Sequence, residues 1–301
     1  MGRSGTSALT RVLALCGGTL PSNMIHPNSG NPTGYWEPEA ALAINDEFLH
    51  GHASSWYDPT LRIQFGDVVA DAARTAYVAK IREFLLAQEQ GLLVIKDPRI
   101  PAVAPYWFEA ARDSGFDVSC AIPIRHPEDV SRSLSNRENV SSQLSSLLWL
   151  KYNLLSESMS RQYPRIFVPY EGLLSDWRAQ VRRISAALSI DPSPADEGAI
   201  DQFLDPSLDH GYAFRGKSEG ADLPMMEIIL SALTSASLDR EFDVLDFESA
   251  MHGYRAADEL LRASADSSLP FPAGDSLVQW EDVGRHLAAT YRSLQAVPQR
   301  R

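Results

Sequence analysis

Apolar positions along the chain change period several times, and those changes divide it into elements. Leu9, Val12, Leu13 and Cys16 recur at helical spacing across Ala8–Leu15, and Gly17-Gly18 stops that helix. Residues 20–40 lose the pattern. Rich in Pro, Asn, Gly and Ser, they predict a long loop of the kind that often carries function. Helical periodicity returns over Ala40–Leu49 and Val68–Gln90. Continuous short apolar runs follow at Leu92–Ile95, Val118–Ile124 and Ile166–Val168. The first two close on charged residues beside a proline, Asp97-Pro98 and Arg125-His126-Pro127. Such runs predict strands buried on both faces, as in a parallel sheet. Helical patterns lie between and after them, over Ala102–Asp113, Glu128–Asn136, Gln143–Arg161 and Leu173–Leu188. The alternation predicts an α/β fold of right-handed βαβ units, a parallel sheet flanked by helices. Beyond Asp191 the strand signals fade into helical and loop patterns, without repeat or linker. The expectation is a single domain over 1–301, with an α/β core over 1–190 and a mainly helical C-terminal part over 191–301.

Composition narrows the class. The 301 residues are 44% hydrophobic and 22% charged, enough to bury a large core. Cys16 and Cys120 supply neither a disulfide framework nor metal-ligand spacing, and read as buried thiols of a reducing compartment. No apolar run approaches the ~20 residues of a membrane span. Arg11 and Gly17-Gly18 break the opening pattern too early for a signal peptide, so a cytoplasmic location is expected. The net charge of −12 argues against a nucleic-acid partner. It leaves room for a small anionic ligand wherever cations cluster.

Two stretches have the residues for that. In "GRSGTS", a glycine-bearing turn opens a helix, where free backbone N–H groups and the helix dipole favour an anion. Ser4, Thr6 and Ser7 add hydroxyls and Arg3 adds a full charge. The Walker spacing and its lysine are absent. The plain alternative is a helix start with Thr6 or Ser7 as N-cap. In "IRHPEDVSRSLSNR", Arg125 ends a predicted strand and Ser133 lies eight residues on, in the next helix. Carboxyl ends of strands are where open α/β sheets bind ligands. The alternative for Arg125 is a surface ion pair with Glu128 or Asp129.

Together these motifs resemble the sulfotransferases that use 3′-phosphoadenosine 5′-phosphosulfate (PAPS). In that family a strand–loop–helix of the Arg3-Ser4-Gly5-Thr6-Ser7 type holds the 5′-phosphosulfate, and an arginine with a serine eight positions later, here Arg125 and Ser133, holds the 3′-phosphate. "NPTGYWEP", "KDPR" and "VPYEGLL" also look like segments of bacterial and carbohydrate-type members. The resemblance covers roughly residues 1–190. It implies a three-layer sheet of the P-loop NTPase type and sulfuryl transfer from PAPS to a hydroxyl of a small molecule, lipid or carbohydrate, with no metal. Other readings are a P-loop small-metabolite kinase, which would need Mg²⁺, and a nucleotide-binding module without turnover. Oligomeric state is not legible.

The resemblance also suggests roles. Arg3 stabilises charge on the leaving 5′-phosphate, and Lys96 stabilises the sulfuryl group or orients the acceptor; the plain alternative for Lys96 is an ion pair with Asp97 or another carboxylate. Glu37 is the first choice of general base, in a loop where Tyr35 and Trp36 supply an apolar wall. Glu39 is second and His26 third. Late in the chain, "YAFRGKSEG" carries Arg215, Gly216 and Lys217, which match loosely a basic segment that closes the 3′-phosphate site, or form a solvated turn. Tyr170 and Glu171 read as structural, Trp149 and Tyr152 as core. The family also places a buried strand before its first loop, and Met1-Gly2 leave no room for one. The expectation is a start assigned too late, or a truncated chain in which an apolar slot lies open between neighbouring strands or is filled by another segment.

Overall fold

The computed structural model describes residues 1–28, 31, 33–65, 69–89, 91–193, 196–204, 223, 225–264, 271–272 and 274–296. It is α/β and mostly helical. Strand β1 (Cys120–Ile124) pairs in parallel with β2 (Arg165–Pro169), with Cys120 opposite Arg165 and Ile124 opposite Pro169. Between them run α6 (Pro127–Glu138) and the buried α7 (Ser142–Ser160), so the unit is a crossover connection. Helix α6 starts on Pro127, with His126 Nδ1 accepting from the Glu128 N–H, and α7 starts where Ser141 Oγ accepts from the Leu144 N–H.

Helix α1 (Thr6–Leu15) packs Leu9, Val12 and Leu13 with Ile166 and Val168 of β2. The expected 173–188 helix is two: α8 (Tyr170–Ser175) and α9 (Trp177–Leu188). Asp176 separates them because its carboxylate caps α9, accepting from the Ala179 N–H at 2.9 Å. A short α10 (Glu197–Phe203) follows. On the other flank, α2 (Glu39–Gly51), α4 (Asp71–Leu86) and α5 (Ile100–Asp113) share a core of Phe48, Tyr77, Ile81 and Trp107. The short α3 (Arg62–Phe65) precedes α4. The helices α11 (Met225–Ser237), α12 (Val244–Ser264) and α13 (Leu277–Ala296) join the largest core, around α7, with Trp149, Tyr152, Phe247, Tyr254 and Trp280 buried. Cys16 is buried and Cys120 half-buried, both as free thiols. No helix among the described residues is long and apolar enough to cross a membrane.

The run Leu92–Ile95 departs from expectation. Among the described residues it carries one parallel bridge, Thr19 to Leu93, through Thr19 N–H to Leu92 O and Val94 N–H to Thr19 O. Residues of a parallel strand alternate the side to which their backbone groups point. With Leu92 and Val94 turned to Thr19, Leu93 and Ile95 point the other way. With the Cys120 N–H donating to Pro164 O, Ala121 and Pro123 likewise point away from β2. Between these two edges lies a slot of about 150 Å³, lined by Leu93, Ile95, Ala121, Pro123, Leu9, Leu13, Leu188 and Ile190 among others. Met1 is buried in one cluster with Ile124. Burial, reinforced by the charge of Lys96, pushes its α-ammonium down to about 5.

Candidate functional site

A cleft of about 800 Å³ opens at the carboxyl ends of β1 and of the 92–95 segment, around the turn that starts α1. The turn is wound left-handed, with φ of 66° at Arg3 and 86° at Gly5. Gly5 is the N-cap residue, and no side chain caps the helix. Thr6 and Ser7 therefore lie inside the helix, unlike the plain N-cap alternative. Gly5 is required twice over. Its φ suits glycine, and a Cβ there would sit 2.3 Å from the Tyr170 ring.

The two sequence motifs meet here. Arg3 Nε donates to Ser133 Oγ at 2.8 Å, across 130 residues of chain. Arg125 lies with its guanidinium carbon 4.5 Å from the Tyr170 ring centroid, and its Nη1 donates to Arg3 O at 3.4 Å. The local pair of Asp129 is with Arg132, at 3.5 Å. Among the described residues Arg3, Lys96, Arg99, Arg125, Arg132 and Arg137 line the cleft, with Glu37, Asp129 and Glu138 as its carboxylates. Burial, with Arg137 and Arg125 nearby, pushes the Arg3 guanidinium down. Four of these cations have carboxylate partners: Lys96 with Glu37, Arg99 with Asp46 and Asp97, Arg132 with Asp129 and Arg137 with Glu138.

Lys96 ends the 92–95 segment and reaches back to the loop. It pairs with the Glu37 carboxylate, so the "another carboxylate" alternative holds in geometry, with Glu37 rather than Asp97 as partner. Lys96 Nζ also donates to Tyr35 O at 3.0 Å and to Ser7 Oγ at 3.4 Å, and Ser7 Oγ donates to the same Tyr35 carbonyl at 3.0 Å. Glu37 and Lys96 are both buried. Burial pushes Glu37 up, against the opposing pull of Lys96, and pushes Lys96 down, against the pull of Glu37. Both shift toward their neutral forms, which suits a group that must accept a proton near neutrality. Asp97 is committed elsewhere: it accepts from Asn45 Nδ2 at 2.9 Å and pairs with Arg99 at 3.1 Å.

Arg3, Gly5, Thr6, Ser7, Glu37, Lys96, Arg125 and Ser133 all line the cleft. Ser4 does not; it is buried, and its Oγ has no hydrogen-bond partner among the described residues. Glu39 and His26 are exposed and lie outside the lining. Arg215, Gly216 and Lys217 lie outside the described residues. Tyr170, read from sequence as a structural tie, packs on the Gly5 turn and under Arg125. Its position just after a strand, at the same end as Arg125, was the available signal. Among the described residues no group of three or more His, Cys, Asp or Glu side chains is arranged to hold a metal. No family model, no curated protein and no solved structure matches the chain.

Proposed function

We propose that the cleft binds PAPS and transfers its sulfuryl group to an acceptor hydroxyl. The observation that carries this reading is the Arg3–Ser133 contact, which joins a helix-opening anion turn to a strand-end arginine motif in one cleft. PAPS carries phosphates at two positions of its ribose, and two adjacent cationic points suit it. The fold reading goes with it: a P-loop-type parallel sheet in which the open slot is the place of the strand before the first loop, in a cytoplasmic enzyme of one domain.

In this mechanism the α1 turn and Arg3 hold the 5′-phosphosulfate, while Arg125 and Ser133 hold the 3′-phosphate. The acceptor oxygen attacks sulfur in line. A new O–S bond forms as the bond from sulfur to the bridging oxygen breaks, and the acceptor proton goes to Glu37. Arg3 and Lys96 stabilise the charge that moves to the leaving phosphate. A sulfuryl group carries less charge than a phosphoryl group, so positioning, cations and one base suffice.

The test is transfer of labelled sulfate from PAPS to small-molecule hydroxyl acceptors with no added divalent metal. Arg3→Ala and Lys96→Ala should each lower turnover by about 10²–10³ while circular dichroism and thermal midpoint remain those of a folded protein. Wild-type rates in both variants would overturn the assigned roles.

A further inference from the structure

Resting on that reading, we infer that the acceptor is an uncharged alcohol or phenol with an apolar ring body, held by Trp56, Tyr57, Pro98, Ile25 and Leu42 beside Glu37. These residues belong to the same cleft lining as Glu37 and Lys96. Three of them lie close to the Glu37–Lys96 pair along the chain or through a hydrogen bond. The Ile25 N–H donates to Glu37 O at 2.9 Å, Leu42 lies in the first turns of α2 just after Glu37, and Pro98 follows Lys96 by two residues. A Cβ on Gly2 would be 3.6 Å from the Trp56 ring and 3.7 Å from Pro98, so both stand against the Arg3 turn. The Trp56 and Tyr57 ring centroids lie 4.2 Å apart with the planes tilted by 40°, and together they give an aromatic wall.

The polar side chains Asn31, Thr33, Tyr57 and Arg99 of this lining are bound within the protein. Asn31 Nδ2 donates to Gly34 O at 2.7 Å, and Thr33 Oγ1 donates to Asn31 Oδ1 at 3.0 Å. Tyr57 OH donates to Glu138 Oε2 at 2.9 Å. Arg99 is paired with Asp46 and Asp97. A saccharide brought here loses water from many hydroxyls and meets donors and acceptors that are already used. An anionic acceptor meets the Glu37 and Glu138 carboxylates. A ring compound with one hydroxyl directed at Glu37 loses little and covers the aromatic wall. That is the usual division of a small-molecule site into an apolar body and a few directing polar groups.

The experiment compares 2-naphthol with N,N′-diacetylchitobiose as acceptors of sulfate from PAPS, with binding of adenosine 3′,5′-bisphosphate measured by calorimetry alongside. The expected kcat/KM is at least about 100-fold higher for the naphthol. Trp56→Ala should raise the naphthol KM about 10-fold with bisphosphate affinity unchanged, Trp56→Phe should restore most of it, and Leu42→Asp, on half-buried α2 surface, should raise KM likewise. A higher kcat/KM for the disaccharide, or an unchanged KM in both Trp56→Ala and Leu42→Asp, overturns the inference. Bisphosphate bound with neither acceptor sulfated also overturns it, and leaves the nucleotide site standing. Absence of bisphosphate binding removes the sulfotransferase reading on which it rests.

Discussion

Glu37 and Lys96 carry the chemical argument at the scale of single residues. A carboxylate and an ammonium buried together each lose hydration, and their mutual attraction only partly offsets the loss. The consequence is a Glu37 carboxyl raised from its ordinary value and sharing Lys96 with the Ser7 hydroxyl. Glu37→Gln keeps the shape and removes the proton acceptor. It should lower kcat by about 10²–10⁴ with PAPS bound normally. The wild-type rate should rise with pH as Glu37 deprotonates, with a midpoint above that of an ordinary glutamate, and Glu37→Gln should lose that limb. A pH–rate profile and single-turnover assay check this; near-normal turnover in Glu37→Gln would move the role to another residue. The sequence pointed to Glu37 through its aromatic neighbours and to Lys96 through its place after a strand. Their contact was not legible, because the loop between 20 and 38 has no period from which to trace its path. The packing of Tyr170 against Gly5 was not legible for a related reason: a tyrosine after a strand has several ordinary uses, and only the folded chain brings the two together.

Among the elements, the runs at 118–124 and 166–168 became β1 and β2 because continuous apolar runs between helices have few other resting places. The run at 92–95 has the same composition but one bridge among the described residues. Strand assignment needs a partner, and its inner edge faces the slot. That result follows from what lies beside a segment, which the segment's own pattern does not report. A strand of five residues spans about 16 Å, roughly the run from Leu92 to Lys96. Extending the chain ahead of Met1 by five alternating β-branched residues should therefore fill the slot, raise the thermal midpoint by at least about 4 °C and slow amide exchange at Leu93, Ile95 and Ala121. Hydrogen exchange read by NMR checks it. An unchanged midpoint with fast exchange at those amides would show that the slot does not accept a strand.

At the scale of the whole molecule, a buried polar cluster lies beside the apolar core where α12 meets the 58–59 segment. Lys151 of α7 donates to Asp58 O at 2.7 Å, Tyr254 of α12 donates to Pro59 O at 2.7 Å, and Asp258 of α12 is fully buried with Arg262 at 3.2 Å. The sequence showed helices after residue 191, but their docking on α7 through this cluster was not legible, since an isolated aspartate in a helical pattern reads as solvated. Burial pushes the Asp258 carboxyl up to about 6, with Arg262 pulling it down, nearby Asp58 adding to the rise and Lys151 opposing it. A carboxyl raised on folding favours the folded state most below its unfolded value near 4, and that contribution is lost as pH rises through 6. Asp258→Asn should therefore gain on the wild type as pH goes from 4.5 to 7.5, by on the order of 2–3 kcal/mol. Thermal or urea unfolding at several pH values checks it; a difference between the two proteins that stays constant with pH would contradict the assignment. The same scale frames the cleft, where cations crowd in a chain of net charge −12.

The most direct test of the central claim is calorimetric titration of the protein with adenosine 3′,5′-bisphosphate and, separately, with ATP and Mg²⁺. The account predicts tight binding of the bisphosphate without metal, weakened about 10–100-fold in Arg125→Ala, and weak or no binding of ATP-Mg²⁺. Binding of ATP-Mg²⁺ alone, indifferent to Arg125, would contradict it.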